Sequence, residues 1–203
     1  MIHSSLQFLA HELNEFLELK TQMNDSVVTR IYITGIASEE GLLIPENSLG
    51  MSLINIEEER VFKDQKSTLI NDDGIAERVN PELKLNLYIV ISANFQDAKN
   101  SGSSDNYVEG LKQLSYVISF FQSRNVFTSD NTPSMNSYDP ELKKLVAELF
   151  SCNFEQLSNF WTTVGTNYLP SVIYKLRLIR IQEKALKETS LPVEKIRYTS
   201  LKR

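Results

Sequence analysis

The chain has 203 residues, 41% hydrophobic and 23% charged, with only 7 glycines and 6 prolines, which suits one globular core and excludes a linker-rich or low-complexity chain. Its single cysteine excludes an internal disulfide and a thiolate-rich metal site. The net charge of −5 is unevenly spread: from Lys175 onward 9 basic face 3 acidic residues (+6), leaving 12 basic and 23 acidic (−11) before it. So acidic a body repels phosphate, and nucleic acid is not an expected partner.

Near the start, Ile2, Leu6, Leu9, Leu13, Phe16 and Leu17 repeat at helical spacing, with Glu12, Asn14, Glu15 and Glu18 on the other side. That pattern predicts an amphipathic helix packed on a sheet. His11 and Glu12 break its apolar stretch, and no run reaches the ~20 residues that span a membrane. Neither a secretory signal nor a membrane segment is therefore expected, and the chain reads as cytoplasmic when made. His3 and His11, the only histidines, lie on this helix without cysteine ligands, so a structural role is expected rather than a metal site.

Asn24 and Asp25 mark a turn before a predicted strand from Val27 to Gly35. Ser38 to Asn47 reads as a loop in which Leu42, Leu43 and Ile44 need cover. Leu49 to Ile56 is the next strand, followed directly by Glu57, Glu58 and Glu59. Three adjacent carboxylates suggest a cation or acid–base site, yet on an extended chain Glu57 and Glu59 share a face and Glu58 opposes them. No calcium or magnesium loop accompanies them. A solvated strand end that discourages edge pairing, or an electrostatic contact to a neighbouring subunit, accounts for them better.

Val61 to Asn80 is polar around Asn71-Asp72-Asp73-Gly74 and predicts a long loop or extended hairpin. Leu83, Leu85, Leu87, Ile89 and Ile91 alternate, with Tyr88 and Val90 between them, so a central strand covered on both sides is expected. After a loop at Asp97 to Asp105, Asn106 and Glu109 read as a capping box, opening a helix whose buried face would be Tyr107, Leu111, Leu114, Ile118 and Phe121. Phe127 to Pro140 reads as loop and Leu142 to Phe150 as strand, with Cys152 in a strand-like run as a buried thiol.

Leu157, Phe160, Trp161 and Val164 then share a helical face, Gly165 can end that helix in a left-handed cap, and Pro170 precedes a strand from Ser171 to Gln182. Its apolar positions, Val172, Tyr174, Leu176 and Leu178, then Ile179 and Ile181, predict a bulge or burial on both faces. Trp161, Pro170 and Tyr174 are structural candidates, Trp161 as a core anchor. Val193, Ile196 and Tyr198 could form a last short strand. The fold class is α/β (α+β): a single domain with a mixed β-sheet, two long amphipathic helices and a shorter one. The domain is placed at 1–182 and a basic arm at 183–203.

The P-loop, dinucleotide, nucleophile-elbow and zincin patterns are all missing, and a nucleophile would have to recruit His3 or His11 as its base. No enzyme activity and no cofactor are expected. Trp161, Gly165, Tyr168, Pro170, Ser171, Val172 and Tyr174, with Gly50–Arg60 and Pro81–Phe95, resemble the tail-terminator (cap) protein family of phage-tail-like extracellular contractile injection systems, over roughly Ile2 to Gln182.

That resemblance implies a tail-terminator-like fold and a structural cap. The cap would be a homohexameric ring on the last tube and sheath rings, fixing particle length, within a particle assembled in the bacterial cytoplasm and either released or membrane-anchored. Its partners would be copies of itself, the sheath protein, the inner tube protein and, as a further candidate, a second cap paralogue. The polar 61–80 stretch and the C-terminal extension depart from the family pattern. Leu191, Val193, Lys195, Ile196, Arg197 and Tyr198 are the candidate residues by which the arm adds a strand to the sheath or a neighbouring copy, the alternative being that the arm folds back on its own sheet. The competing reading is a ligand-binding module or small enzyme using Glu57–Glu59.

Overall fold

The computed structural model describes residues 1–23, 30–60, 68–70, 76–78, 83–95, 104–181 and 188–190. Helix α1 (Ile2–Met23) leads to strands β1 (Ile31–Ile33), β2 (Ala37–Ser38), β3 (Gly41–Leu42) and β4 (Ser48–Glu58). Two short strands, β5 (Thr68–Ile70) and β6 (Ala76–Arg78), precede the long β7 (Leu83–Asn94). Helix α2 (Ser104–Ser123), β8 (Val126–Thr128), α3 (Met135–Tyr138), β9 (Lys144–Phe150), α4 (Phe154–Val164), β10 (Ser171–Ile181) and β11 (Glu188–Ser190) complete the order. The chain forms two compact units, one from 1–58 with 85–179, the other within 59–84 and 180–203.

The first unit holds a six-stranded sheet in the order β1-β4-β7-β10-β9-β8. β1 runs parallel to β4, whereas β4–β7, β10–β9 and β9–β8 are antiparallel, so the sheet is mixed. Strand β7 is central because both of its faces are apolar. Leu87, Ile89 and Ile91 meet α1 and α2 through Leu9, Leu13, Leu114 and Val117, while Val90 faces the opposite way, toward Trp161 and Ile173. Burial of each such side chain is worth about 1.5–3 kcal/mol before ordering entropy is set against it. Over Ile173–Leu176, β10 is buried on both faces, with Tyr174 and Leu176 in one cluster and Ile173 in the other; the side chains of Leu178, Ile179 and Ile181, where the pattern shifts, lie outside those described, and β4 carries a register shift of its own between Leu53 and Asn55. The expected fold class is what this unit displays.

Several sequence expectations need correction. The first strand is Ile31–Ile33, residues 24–29 lying outside those described. The expected loop after it contains the β2–β3 pairing, and Leu42 and Leu43 stay exposed while Ile44 is buried. A side chain at Gly50 would come within 2.5 Å of Ile44, so the small residue is what lets Ile44 seat on the sheet. Helix α2 begins at Ser104, which places Asn106 inside it, and Glu109 pairs with Lys112 and Gln113 rather than closing a capping box.

The buried face of α2 is Leu114, Val117, Phe120 and Phe121, leaving Tyr107, Leu111 and Ile118 partly in solvent. Both faces satisfy the 3.6 period, and only the direction of the sheet selects between them. On α1, Glu12 and Asn14 both turn inward to partners. Between β8 and β9 the expected loop carries α3, with Met135 fully buried, and β9 begins at Lys144. Cys152 lies in the connection before α4, partly buried against the Trp161 cluster.

In the second unit, β5 and β6 form an antiparallel hairpin, the extended form of the 61–80 stretch. β11 adds to β6 in antiparallel register, Thr189 opposite Glu77, giving the order β11-β6-β5. Residues set apart as a C-terminal arm thus begin by pairing with a hairpin of their own chain.

Candidate assembly surfaces

Helix α4 is closed at both ends by local chemistry. Asn153 accepts from the Gln156 N–H at 2.7 Å, and the Gln156 side chain accepts from the Asn153 N–H at 3.0 Å, a reciprocal cap. At the other end Gly165 adopts φ 74°, a left-handed conformation suited to glycine. The apolar face between them, Leu157, Phe160, Trp161 and Val164, packs with Ile36, Ile44 and Val90.

Trp161 is 4% exposed, and its indole N–H is buried without a hydrogen-bond partner among the described residues. Pro170 is buried and its carbonyl accepts from the Ala93 N–H at 2.9 Å, tying the start of β10 to the end of β7. Tyr174 lies against Phe121 at 4.2 Å between centroids, and burial pushes its phenol up to about 12. Outside this buried set, Phe154 (88% exposed) and Tyr168 (54%) flank a groove of about 750 Å³. Exposed aromatic rings beside a buried tryptophan make a surface suited to protein contact.

The three glutamates do not act as one cluster. The Tyr88 hydroxyl donates to Glu57 at 2.8 Å and the Asn55 amide donates to it at 3.3 Å. Glu58 is half-buried at the end of β4. Glu59 is buried, its N–H donating to the Lys84 carbonyl at 2.8 Å, so it is not part of a solvated strand end. Among the described residues, no group of three or more His, Cys, Asp or Glu converges to hold a metal ion. His3 is exposed beside Ser4, and His11 sits 3.4 Å from Glu15. Leu191, Val193, Lys195, Ile196, Arg197 and Tyr198 lie outside the described residues.

The outer edges of the main sheet carry a feature that periodicity did not flag. On β1, the Ile31 N–H donates to the Asn14 side-chain oxygen at 2.8 Å, and the Asn14 amide donates back to the Ile31 carbonyl at 3.2 Å. On β8, at the opposite edge, the Asn131 amide donates to the Val126 carbonyl at 2.8 Å and its oxygen accepts from the Thr128 N–H at 2.9 Å. Each asparagine amide occupies the place of a peptide group from one further strand, so both edges are locally sealed against strand addition. An Asn in mid-helix and an Asn in a polar turn read simply as helix surface and turn former; nothing in the sequence pairs them with strand edges.

The sequence pattern of the Pvc16 N-terminal domain family matches residues 6–195. The chain belongs to that family. The chain is also similar in fold to the sheath/tube terminator of an extracellular contractile injection system, PVC, in its extended state. That likeness has a TM-score of 0.58 at 13% identity and covers 100% of this chain and 64% of that one. A second likeness is to the tube-terminating cap of the anti-feeding prophage, with a TM-score of 0.52 at 15% identity, covering 93% of this chain and 58% of that one. The fold is therefore that of the tail-terminator family to which Trp161, Tyr168, Pro170 and their neighbours pointed, and this family member spans less than two thirds of either matched chain. No curated protein matches the chain. Among the described residues, no helix is long and apolar enough to cross a membrane.

Proposed function

We propose that this member of the Pvc16 N-terminal domain family is a non-enzymatic cap subunit that closes the end of a contractile tube and its sheath. Copies of the chain form a ring, a hexamer in this reading, which sits on the last tube layer, contacts the last sheath layer and stops growth at a set length. The observation that carries the reading is a likeness to two terminators extending over nearly all of the chain. The sealed edges at Asn14 and Asn131 fit it, because a terminator must bind a polymer end without templating another layer.

Glu57 and Glu58 are proposed to meet basic groups of a neighbouring copy, and the arm residues Leu191, Val193, Lys195, Ile196, Arg197 and Tyr198 to connect subunits or reach the sheath. Buried Glu59 would support the strand end rather than touch the partner. Assembly is placed in the bacterial cytoplasm, on a particle that is later released or anchored. Deleting the gene in a producing cell and imaging the particles tests the proposal. Tubes and sheaths of uncontrolled length without a blunt cap are expected, with normal length restored by the intact gene. Particles of normal length in the deletion strain would overturn it.

A further inference from the structure

The seals on the main sheet stop short, and each edge keeps one residue whose backbone faces outward. On β1, the Thr34 N–H donates to the Met51 carbonyl at 3.1 Å and the Arg30 carbonyl accepts from the Leu49 N–H at 3.0 Å, so the even-numbered residues face β4. Ile31 faces outward to Asn14. Ile33, two residues on, faces the same way, and neither its N–H nor its C=O is bonded to a described residue. At the far edge, β8 covers β9 only from Lys144 to Val146, and one further bond, from the Ala147 N–H to the Asn125 carbonyl at 2.8 Å, ends the pairing. Leu149, two residues beyond, therefore turns its N–H and C=O to the open side, again without a described partner.

The two sites match in strand sense. β1 runs with β4 and against β7. The bond from Ala93 to Pro170 puts the end of β7 beside the start of β10, so those two run oppositely, and β9 runs against β10. β1 and β9 thus point in opposite directions, the sense in which one residue of each strand exchanges both backbone bonds. A rotation about an axis along the strands keeps these directions, so β1 of one copy meets β9 of the next antiparallel.

The faces and side chains match as well. Ile31 and Ala147 belong to the core beneath α1 and α2, so Ile33 and Leu149, each two residues further on, share that face. Opposing them sets Ile33 beside exposed Leu149 and Ile118, over a cavity of about 540 Å³ floored by Phe121 and Tyr174. On the other face it sets exposed Tyr32 beside exposed Phe150 and Thr34 beside Glu148. Two apolar cross-strand pairs are formed from side chains that water covers in the single chain. Lys144, Lys175 and Arg177 already surround Glu148 on that face, so an uncharged strand is the occupant it favours, and Tyr32-Ile33-Thr34 carries no charge.

We infer that copies of this chain join edge to edge, the Ile33 backbone of one exchanging both bonds with the Leu149 backbone of the next. Because the two sites differ, the contact is heterologous, the kind that closes into a ring when the rotation permits. Sealed Ile31 on one side and bonded Ala147 on the other hold the exchange to this register. The inference rests on the reading of the chain as a ring-forming cap and assigns the surface that makes the ring.

The test uses the full chain with Ile33→Glu, with Leu149→Lys and with both together. Both positions are exposed in the single chain, so unchanged urea midpoints are expected. By sedimentation, each single variant should need about tenfold or more higher concentration to self-associate. The double variant, which sets opposite charges across the contact, should return to within about threefold of the parent. In a Cys152→Ser chain, Ile33→Cys combined with Leu149→Cys should give a ladder of disulfide-linked multimers on oxidation, and either substitution alone should not. Single variants that associate like the parent, a double variant that is not rescued, or a missing ladder overturns the inference. If the parent chain associates while these outcomes fail, the ring stands and only its surface is misassigned. A parent chain that stays monomeric at every concentration overturns the ring reading as well.

Discussion

Glu12 shows how much one side chain contributes at the residue scale. Only 8% exposed, it accepts from the Arg124 guanidinium at 2.7 Å and from the Ser134 hydroxyl at 2.7 Å, while Arg124 lies over Phe120 and Phe127. α1, the end of α2 and the segment before α3 are thus held through one carboxylate. Truncating it leaves a cation against two aromatic rings, and because Arg124 keeps some solvent contact the penalty falls below that of a fully buried pair. Glu12→Ala should cost roughly 2–3 kcal/mol, read as a lower urea midpoint with an unchanged slope.

Tyr174 supplies a prediction in pH. Burial pushes its phenol up to about 12 in the folded chain, above the ordinary value of 10.0. A raised folded value means that the unfolded state ionises first. The stabilisation is therefore fully present below about pH 10 and is lost as pH rises toward 12, about 2–3 kcal/mol across the window. Tyr174→Phe should flatten this alkaline limb while leaving stability at pH 7 within about 1 kcal/mol, which urea unfolding at several pH values between 8 and 11 would register.

At the scale of elements, the two edge asparagines are the parts with most bearing on assembly. Each satisfies two backbone groups of an edge strand, and removing the amide leaves an N–H and a C=O without their partner. Asn131→Leu should lower stability by about 1–2 kcal/mol, and Asn14→Leu, which strips the same two kinds of bond from β1, by a similar amount. The double variant should also form irregular aggregates through strand pairing, seen as a broad light-scattering distribution where the parent chain gives one species. If the double variant stays uniform in size, the seals are stability devices and nothing more. The cap on α4 behaves differently: its Asn153–Gln156 pair is local in sequence and requires no sheet.

For the whole molecule, the charge layout is the property that acts at a distance. Lys175, Arg177 and Arg180 belong to β10, so residues 1–182 carry 15 basic against 23 acidic residues (−8) and the arm at 183–203 carries 6 against 3 (+3), a layout that still favours contact between the end of one copy and the body of another. Such attraction is screened within about 10 Å at 0.1 M salt and about 3 Å at 1 M. Self-association of the chain should therefore weaken as sodium chloride rises from 0.05 to 0.5 M, by roughly tenfold if three or so ion pairs are involved. Sedimentation velocity at fixed protein concentration measures this, and a salt-independent mass would assign the contact to apolar surface such as Phe154 and Tyr168.

Much of this fold was written in local pattern. The strict alternation of Leu83 to Ile91 required a central strand, Leu157 to Val164 required an amphipathic helix, and Gly165 required its left-handed end, because each signal lies within a few residues and a period of 2 or 3.6 reports it directly. The motif around Trp161 and Pro170 likewise carried the family. Tertiary structure alone decided which face of α2 is buried, where Tyr107, Leu111 and Ile118 satisfied the same helical period as the true core residues. It also decided that Glu12 meets Arg124, 112 residues away, and that Asn14 and Asn131 serve as surrogate strands. The division has one physical cause. Periodicity reports how a segment relates to its own axis, whereas burial, ion pairing and edge closure depend on which other segment arrives beside it.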